Sequence, residues 1–253
     1  MTAPASPAST GFLVRIGNWF FTYRNYAFPL VLALVLVGLD PVPLAGDGAA
    51  DRWLDTAGVA LCVLGSAFRF WVIGLAYIKR GGLNKRVYAE ALVTSGMFGV
   101  CRNPLYLGNA LVLIGLFLIH NNPLAYAIGA AFFGLAYAGI IAAEERYLAD
   151  KFGAEYARYC AAVPRFLPRF SRYAAAAADM DFDWRRAVLK DHGSVYAWIV
   201  AAAAIELLEH VGRPDPAFAP GGWWREIAVI GGATIVLVAI RLLKKSGLLV
   251  ARS

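Results

Sequence analysis

The chain has 253 residues, of which 60% are hydrophobic and only 16% charged, with a mean hydropathy of +0.58 and a formal net charge of +7. Soluble domains carry about a quarter charged residues, so this composition excludes an ordinary soluble enzyme and predicts an all-α, polytopic transmembrane bundle. The positive charge does not require nucleic acid, because membrane topology accounts for its distribution. Cys62, Cys101 and Cys160 are odd in number and widely spaced, which fits neither a disulfide framework nor a zinc site.

The opening MTAPASPAST is neutral and lies well ahead of the first apolar run, so it does not read as a signal peptide. Residues 11 to 26, GFLVRIGNWFFTYRNY, mix aromatic side chains with Arg15 and Arg24. They are expected to lie flat in the inner interface, unless the first span simply starts early. Six spans follow: Ala27 to Leu39, Trp53 to Ile78, Pro104 to Ile119, Pro123 to Ala143, Ser194 to His210, and Glu226 to Leu243. With the amino terminus in the cytosol, every Lys and Arg except Arg52, Arg69, Arg213 and Arg225 falls on the cytosolic side, as the positive-inside rule requires. Both termini are therefore expected in the cytosol, with the protein in the cell (inner) membrane. Trp53, Trp223 and Trp224 mark the outer boundary.

Arg69 lies two turns inside the second span. An ionisable group at that depth is a functional suspect, and snorkelling to the headgroups is the other account of it. The basic loop KRGGLNKRVYAE, Lys79 to Glu90, belongs on anionic lipid, and Gly81 and Gly82 mark a turn rather than a nucleotide loop.

The stretch Leu92 to Gly108, LVTSGMFGVCRNPLYLG, carries the chemistry. Asn103 before Pro104 predicts a helix start, because the residue before proline leaves the α region and proline fits the first helical position. That first turn presents free N–H donors beside Arg102, which makes an anion site; a capped membrane helix with an interfacial arginine is the simpler alternative. His120, Asn121 and Asn122 are all that separates the third and fourth spans, so the two form an antiparallel hairpin. The hairpin returns the chain to the face it left, and places Glu144 and Glu145 near Arg102, Asn103 and Tyr106. Adjacent glutamates on a helix point about 100° apart, so only one faces a shared pocket.

The helix is expected to continue past Glu144 with an apolar stripe of Leu148, Phe152, Tyr156 and Tyr159, broken near Gly153. Val163-Pro164-Arg165-Phe166-Leu167-Pro168 ends it and folds back over the pocket as an edge. Asp179, Asp181 and Asp183 read as a linker and helix start rather than a metal loop, and no metal is expected. Glu206, Glu209 and His210 near the outer end of the fifth span are placed at the headgroups, with a metal or proton site as the alternative.

Leu92 to Gly96, Arg102 to Gly108, the Glu144-Glu145 pair, Phe152-Gly153 with Tyr156 and Tyr159, and Val163-Pro164-Arg165 together resemble the isoprenylcysteine carboxyl methyltransferase and phospholipid methyltransferase group of membrane enzymes. The resemblance covers about a third of the chain, roughly residues 90 to 168. It implies an S-adenosylmethionine pocket at the cytosolic membrane face, open sideways to lipid, with a lipid or lipid-like acceptor. By position it implies cofactor contacts at Leu92, Val93, Phe98, Asn103, Pro104, Leu105, Tyr106 and Glu144, with Arg102 and Glu145 as the catalytic candidates, Glu145 serving as base if the acceptor is an amine. It also divides the chain into an interfacial segment (1–26), two spans and a basic loop (27–89), a methyltransferase core (90–170) and a linker with a two-span extension (171–253). Two departures stand out. Asn103 replaces the histidine common in the group, and Ile140 occupies the place of an arginine that would pair a prenylcysteine carboxylate, which argues against that substrate. Two rival readings remain: a sterol-reductase-like enzyme whose NADPH 2′-phosphate would meet Arg165, Arg169 and Arg172, and a non-catalytic scaffold or transporter using Glu206 and Glu209.

Overall fold

A computed structural model of the chain describes residues 11–42, 48–75, 86–178, 180–212 and 223–251, and no β-strand occurs among them. The protein is a helical membrane bundle. Its helices are α1 (Phe12–Gly38), α2 (Gly48–Leu75), α3 (Pro104–His120), α4 (Pro123–Ala162), the short α5 (Tyr173–Ala177), α6 (Trp184–Gly212) and α7 (Trp223–Lys245). Gly81, Gly82, Asp179 and Arg213 lie outside the described residues, as does the His210 side chain.

Four of these helices, α1, α2, α4 and α7, are long and apolar enough to cross a membrane by length and composition. The other two predicted spans differ for separate reasons. At 17 residues α3 is about 25 Å long, short of the roughly 30 Å hydrocarbon core. At 29 residues α6 is long enough, but it begins at Trp184 and its first turns carry Arg185, Arg186, Lys190 and Asp191, which dilute the hydropathy. Residues 11 to 26 are not a separate interfacial piece: α1 runs from Phe12 through Pro29 to Gly38 without a break.

Neighbouring helices pack antiparallel, and glycines set the closest approaches. A Cβ added at Gly58 would stand 2.6 Å from the Gly115 carbonyl oxygen, and one at Gly65 would stand 2.7 Å from that of Gly108, so α2 and α3 touch backbone to backbone along their length. Gly17 and Gly139 do the same where α1 crosses α4. At the hairpin turn, Asn121 takes a left-handed conformation (φ 50°) to close α3, and the Asn122 side chain accepts from the Leu124 and Ala125 N–H groups to cap α4. The end of α1 is tied to this turn through His120, whose Nε2 lies 3.0 Å from the Leu39 carbonyl oxygen, and through the Val42 N–H, which donates to the His120 carbonyl. Val35, Leu36, Leu116, Phe117, Phe133, Ala202 and Ile205 fill the half of the bundle nearest the α3–α4 turn. The half towards the starts of α1 and α3 contains a cavity.

The far end of α6 meets the start of α7, where Arg225 bridges Glu206 (3.2 Å) and Glu226 (2.7 Å). Trp223 stacks on Trp224 with centroids 4.0 Å apart, and Trp53 is exposed at the same end, consistent with an interfacial aromatic belt. Asp183 caps α6: its Oδ1 accepts from the Arg185 and Arg186 N–H groups, the linker-and-helix-start reading.

Candidate functional site

The site is built on the loop that enters α3. Met97 within the 3-10 turn Gly96–Gly99 and Val100 after it anchor the loop against Leu75 and Val72 of α2, and Cys101 is buried beside them in sequence. α4 continues past Glu144 and breaks at Gly153, whose φ of 48° and ψ of −118° only glycine adopts readily. The bend sends Tyr156, Tyr159 and Val163 back onto Leu92, and Tyr159 Oη donates to the Phe98 carbonyl at 2.7 Å.

The strap from Val163 to Arg169 then runs beside the loop as a backbone brace. Arg102 N–H donates to the Pro164 carbonyl and Arg169 N–H to the Val100 carbonyl. Cys101 Sγ donates to the Phe166 carbonyl at 3.0 Å, and burial pushes its thiol pKa up. Asn103 does not cap α3 as the sequence predicts: its Nδ2 donates to the Arg165 carbonyl at 3.1 Å, so the amide pins the strap. The first turn of α3 consequently has no side-chain cap. The strap also differs from its expected place, since it backs the loop rather than covering the cavity.

In front of the loop lies a cavity of about 660 Å³. Its walls come from α1 (Phe21, Arg24, Asn25, Phe28), the segment Val87 to Ala89, Phe98, Arg102 to Tyr106 with Asn109, α4 (Tyr137, Glu144, Tyr147, Leu148), Arg69, and α6 (Leu189, Lys190, Ser194). The hairpin does what its short turn implies. Tyr106 Oη donates to Glu144 Oε1 at 2.8 Å, so one carboxylate of the pair sits at the start of the neighbouring helix.

Of the residues expected at the site, Phe98, Arg102, Asn103, Pro104, Leu105, Tyr106 and Glu144 line this cavity. Leu92 packs instead on the Tyr156–Tyr159–Val163 cluster, and neither it nor Val93 reaches the cavity wall. Glu145 also points elsewhere, as the 100° turn between neighbours dictates. It accepts from Arg165 Nε (2.9 Å) and Nη2 (2.7 Å) and lies 3.5 Å from Arg102 Nη1. Glu145, held by two guanidiniums, does not line the cavity, whereas Glu144 does. Arg102 itself donates to Cys160 Sγ at 2.8 Å, while its buried Nε has no partner among the described residues.

Arg69 does not snorkel. It is 4% exposed and clamped between helices: Nε and Nη2 donate to Asp191 of α6, Nη2 also to Ser194 Oγ at 3.0 Å, and Nη1 to Asn109 Oδ1 of α3. Sequence reasoning missed Asp191, Ser194, Arg24 and Tyr137, because nothing local distinguishes them from ordinary interfacial or apolar-helix residues. Arg165, Arg169 and Arg172, the cluster offered for an NADPH phosphate, do not line the cavity; Arg165 is engaged by Glu145 and Arg172 by the Ala162 carbonyl. Among the described residues no three His, Cys, Asp or Glu side chains gather as a metal site.

Comparison with known proteins places this geometry. Residues 53–155, which span α2, the α3 entry loop and the α3–α4 hairpin, match the family described as phospholipid methyltransferase. The chain is 32% identical over 176 residues to the cobalt-zinc-cadmium resistance protein CzcN of Cupriavidus metallidurans (strain CH34), covering 68% of this chain and 74% of that protein. It is 30% identical over 163 residues to the nickel-cobalt-cadmium resistance protein NccN of Alcaligenes xylosoxydans xylosoxydans, covering 63% and 67%. No solved structure matches. The chain is an integral membrane protein and belongs to the phospholipid methyltransferase family.

Proposed function

We propose that the protein is an S-adenosylmethionine-dependent methyltransferase of the inner membrane, acting on a lipid or lipid-like acceptor, with the cavity and both termini facing the cytosol. The observation that carries this reading is the Tyr106–Glu144 contact across the hairpin, on the wall of a cavity that Arg102 also lines.

The residues present fit the cofactor. Arg102 and the uncapped N–H groups opening α3 suit its carboxylate, Glu144 suits its ammonium or ribose diol, and Phe98, Leu105 and Leu148 offer an apolar wall for adenine. When bound, S-adenosylmethionine supplies an electrophilic methyl group: the acceptor lone pair forms the new bond to carbon as the carbon–sulfur bond breaks, leaving a neutral thioether. The chain's part is to hold the acceptor in line and keep water out, which needs no catalytic triad. Should the acceptor be an amine, Glu144 is the lining carboxylate able to receive the proton; an oxyanion acceptor releases none.

Isothermal calorimetry on the full-length protein in detergent tests the reading. Binding of S-adenosylmethionine that Glu144→Ala and Arg102→Gln weaken, together with transfer of labelled methyl into an inner-membrane lipid extract, supports it. Absence of binding, or heat protection by NADPH and not by S-adenosylmethionine, overturns it. The two relatives are named for resistance to cobalt, zinc, cadmium and nickel. On the present reading any such resistance here works through an altered membrane lipid, so host growth on cobalt should depend on Glu144.

A further inference from the structure

Resting on the methyltransferase reading above, we infer that Asn109 and Tyr137 form a hydrogen-bond donor subsite that holds an ester carbonyl of a diacyl glycerolipid acceptor. Both line the cavity, one from α3 and one from α4, away from the end where Arg102 and Glu144 suit the methyl donor. Tyr137 precedes Glu144 by two turns of α4, about 10 Å of helix towards the α3–α4 turn. Asn109 follows Tyr106 by about one turn of α3.

Arg69 sets the polarity of this end. A guanidinium carries donors and no acceptor, so every neutral group bonded to it must show it an oxygen. Arg69 Nη1 donates to Asn109 Oδ1 and Nη2 to Ser194 Oγ, while Nε and Nη2 also engage the Asp191 carboxylate. With its oxygen committed, the Asn109 amide turns its NH2 group the other way, where the Tyr137 hydroxyl stands. An N–H facing a phenol donates to the phenolic oxygen, which leaves the Tyr137 hydrogen to point on into the cavity. These donors are uncharged, and Asp191 offsets the charge of Arg69 behind them.

That donor set selects the ligand class. A phosphate or carboxylate buried here would lose its hydration against neutral partners alone, whereas a carbonyl oxygen accepts hydrogen bonds with no charge to desolvate. In a diacyl glycerolipid the ester carbonyls lie between headgroup and chains, so a headgroup at the Glu144 end brings them to the Asn109–Tyr137 end. Phe28 packs edge-on against Tyr137, with centroids 5.5 Å apart, and continues the cavity wall as an apolar surface for the start of the chains. A dialkyl ether or a prenyl chain offers no carbonyl and leaves the donors without a partner.

Native mass spectrometry of the full-length protein tests the inference, with loading from detergent by an equimolar mixture of diester and dialkyl-ether phosphatidylethanolamine of equal chain length. The shared headgroup cancels, so the ratio retained reads the linkage. One hydrogen bond corresponds to an ester preference of about two- to tenfold. Tyr137→Phe and Asn109→Asp should each bring the ratio close to one; the second keeps an oxygen for Arg69 while removing the N–H donors. Arg69→Met/Asp191→Leu frees the amide to turn and should lower the ratio too, as expected of residues that position Asn109. Tyr126→Phe, whose hydroxyl bonds Asn121 at the α3–α4 turn, should leave it unchanged. Equal retention of the two lipids by the unmutated protein, or an ester preference that survives Tyr137→Phe, overturns the subsite. S-adenosylmethionine calorimetry on the same samples separates the two readings. An ester preference without cofactor binding counts against the methyltransferase alone, and cofactor binding without an ester preference counts against the subsite alone.

Discussion

Breaking the Arg69–Asp191 pair from one side should cost far more than removing both partners. The two side chains are 4% and 2% exposed, and Arg69 also bonds Asn109 and Ser194. Asp191→Leu leaves the Arg69 guanidinium with the neutral partners Asn109 and Ser194, and Arg69→Met takes the guanidinium away from the buried Asp191 carboxylate. Each single change is expected to destabilise by roughly 3–5 kcal/mol, because the charge left behind keeps its desolvation penalty and loses its counter-charge. The double variant Arg69→Met/Asp191→Leu strands neither and should lie within about 2 kcal/mol of the unmutated protein. Methionine keeps an aliphatic stem against Gly108, whose added Cβ would lie 2.5 Å from Arg69 Cγ, so the α2–α3 contact is preserved. Equilibrium unfolding in mixed micelles, followed by tryptophan fluorescence, gives the four stabilities of the cycle. Additive effects, with the double variant as damaged as the two singles summed, would refute the reasoning.

The other expectations concern packing, the site and the bend. Gly115→Val places a Cβ 2.4 Å from the Gly58 carbonyl and should lose stability at or above the upper end of the usual overpacking cost of about 1–3 kcal/mol, while Gly134→Ala, with nothing within 4 Å, should be silent in the same unfolding assay. Tyr106→Phe deletes the donor to Glu144 and should weaken S-adenosylmethionine binding about tenfold by calorimetry; unchanged affinity would remove this contact from the site. Gly153→Ala forces a positive φ on an L residue at roughly 1–3 kcal/mol and should loosen the strap, read as faster proteolysis between Pro164 and Arg169. The raised pKa of the Cys101 thiol leaves less thiolate at any given pH than an ordinary cysteine has, so native-state alkylation of Cys101 should be slower than that of the unfolded chain at the same pH and become fast only on unfolding.

Composition alone decided that the chain is a membrane bundle, since an interior this apolar and so sparsely charged has no soluble solution. Local signals decided the hairpin: Pro104 and Pro123 fix two helix starts, and the turn of two residues between the helices, Asn121 and Asn122, leaves no length to send α4 anywhere but back along α3. From that followed the meeting of a Glu144-type carboxylate with Tyr106, at 2.8 Å. The uses of individual side chains were decided by tertiary structure. Asn103 reads as a cap, but its amide bonds a strap sixty residues away, and a long-range carbonyl leaves no trace in local sequence. Glu145 reads as well as Glu144 until Arg165 is known to stand beside it. Arg69 reads as a snorkelling cation because its partner Asp191 lies on a helix whose first turns look like a polar linker, and only packing makes the pair. Helical period and proline placement are properties of neighbours along the chain; which of two adjacent glutamates faces the cavity depends on distant helices, and those meet only in the folded protein.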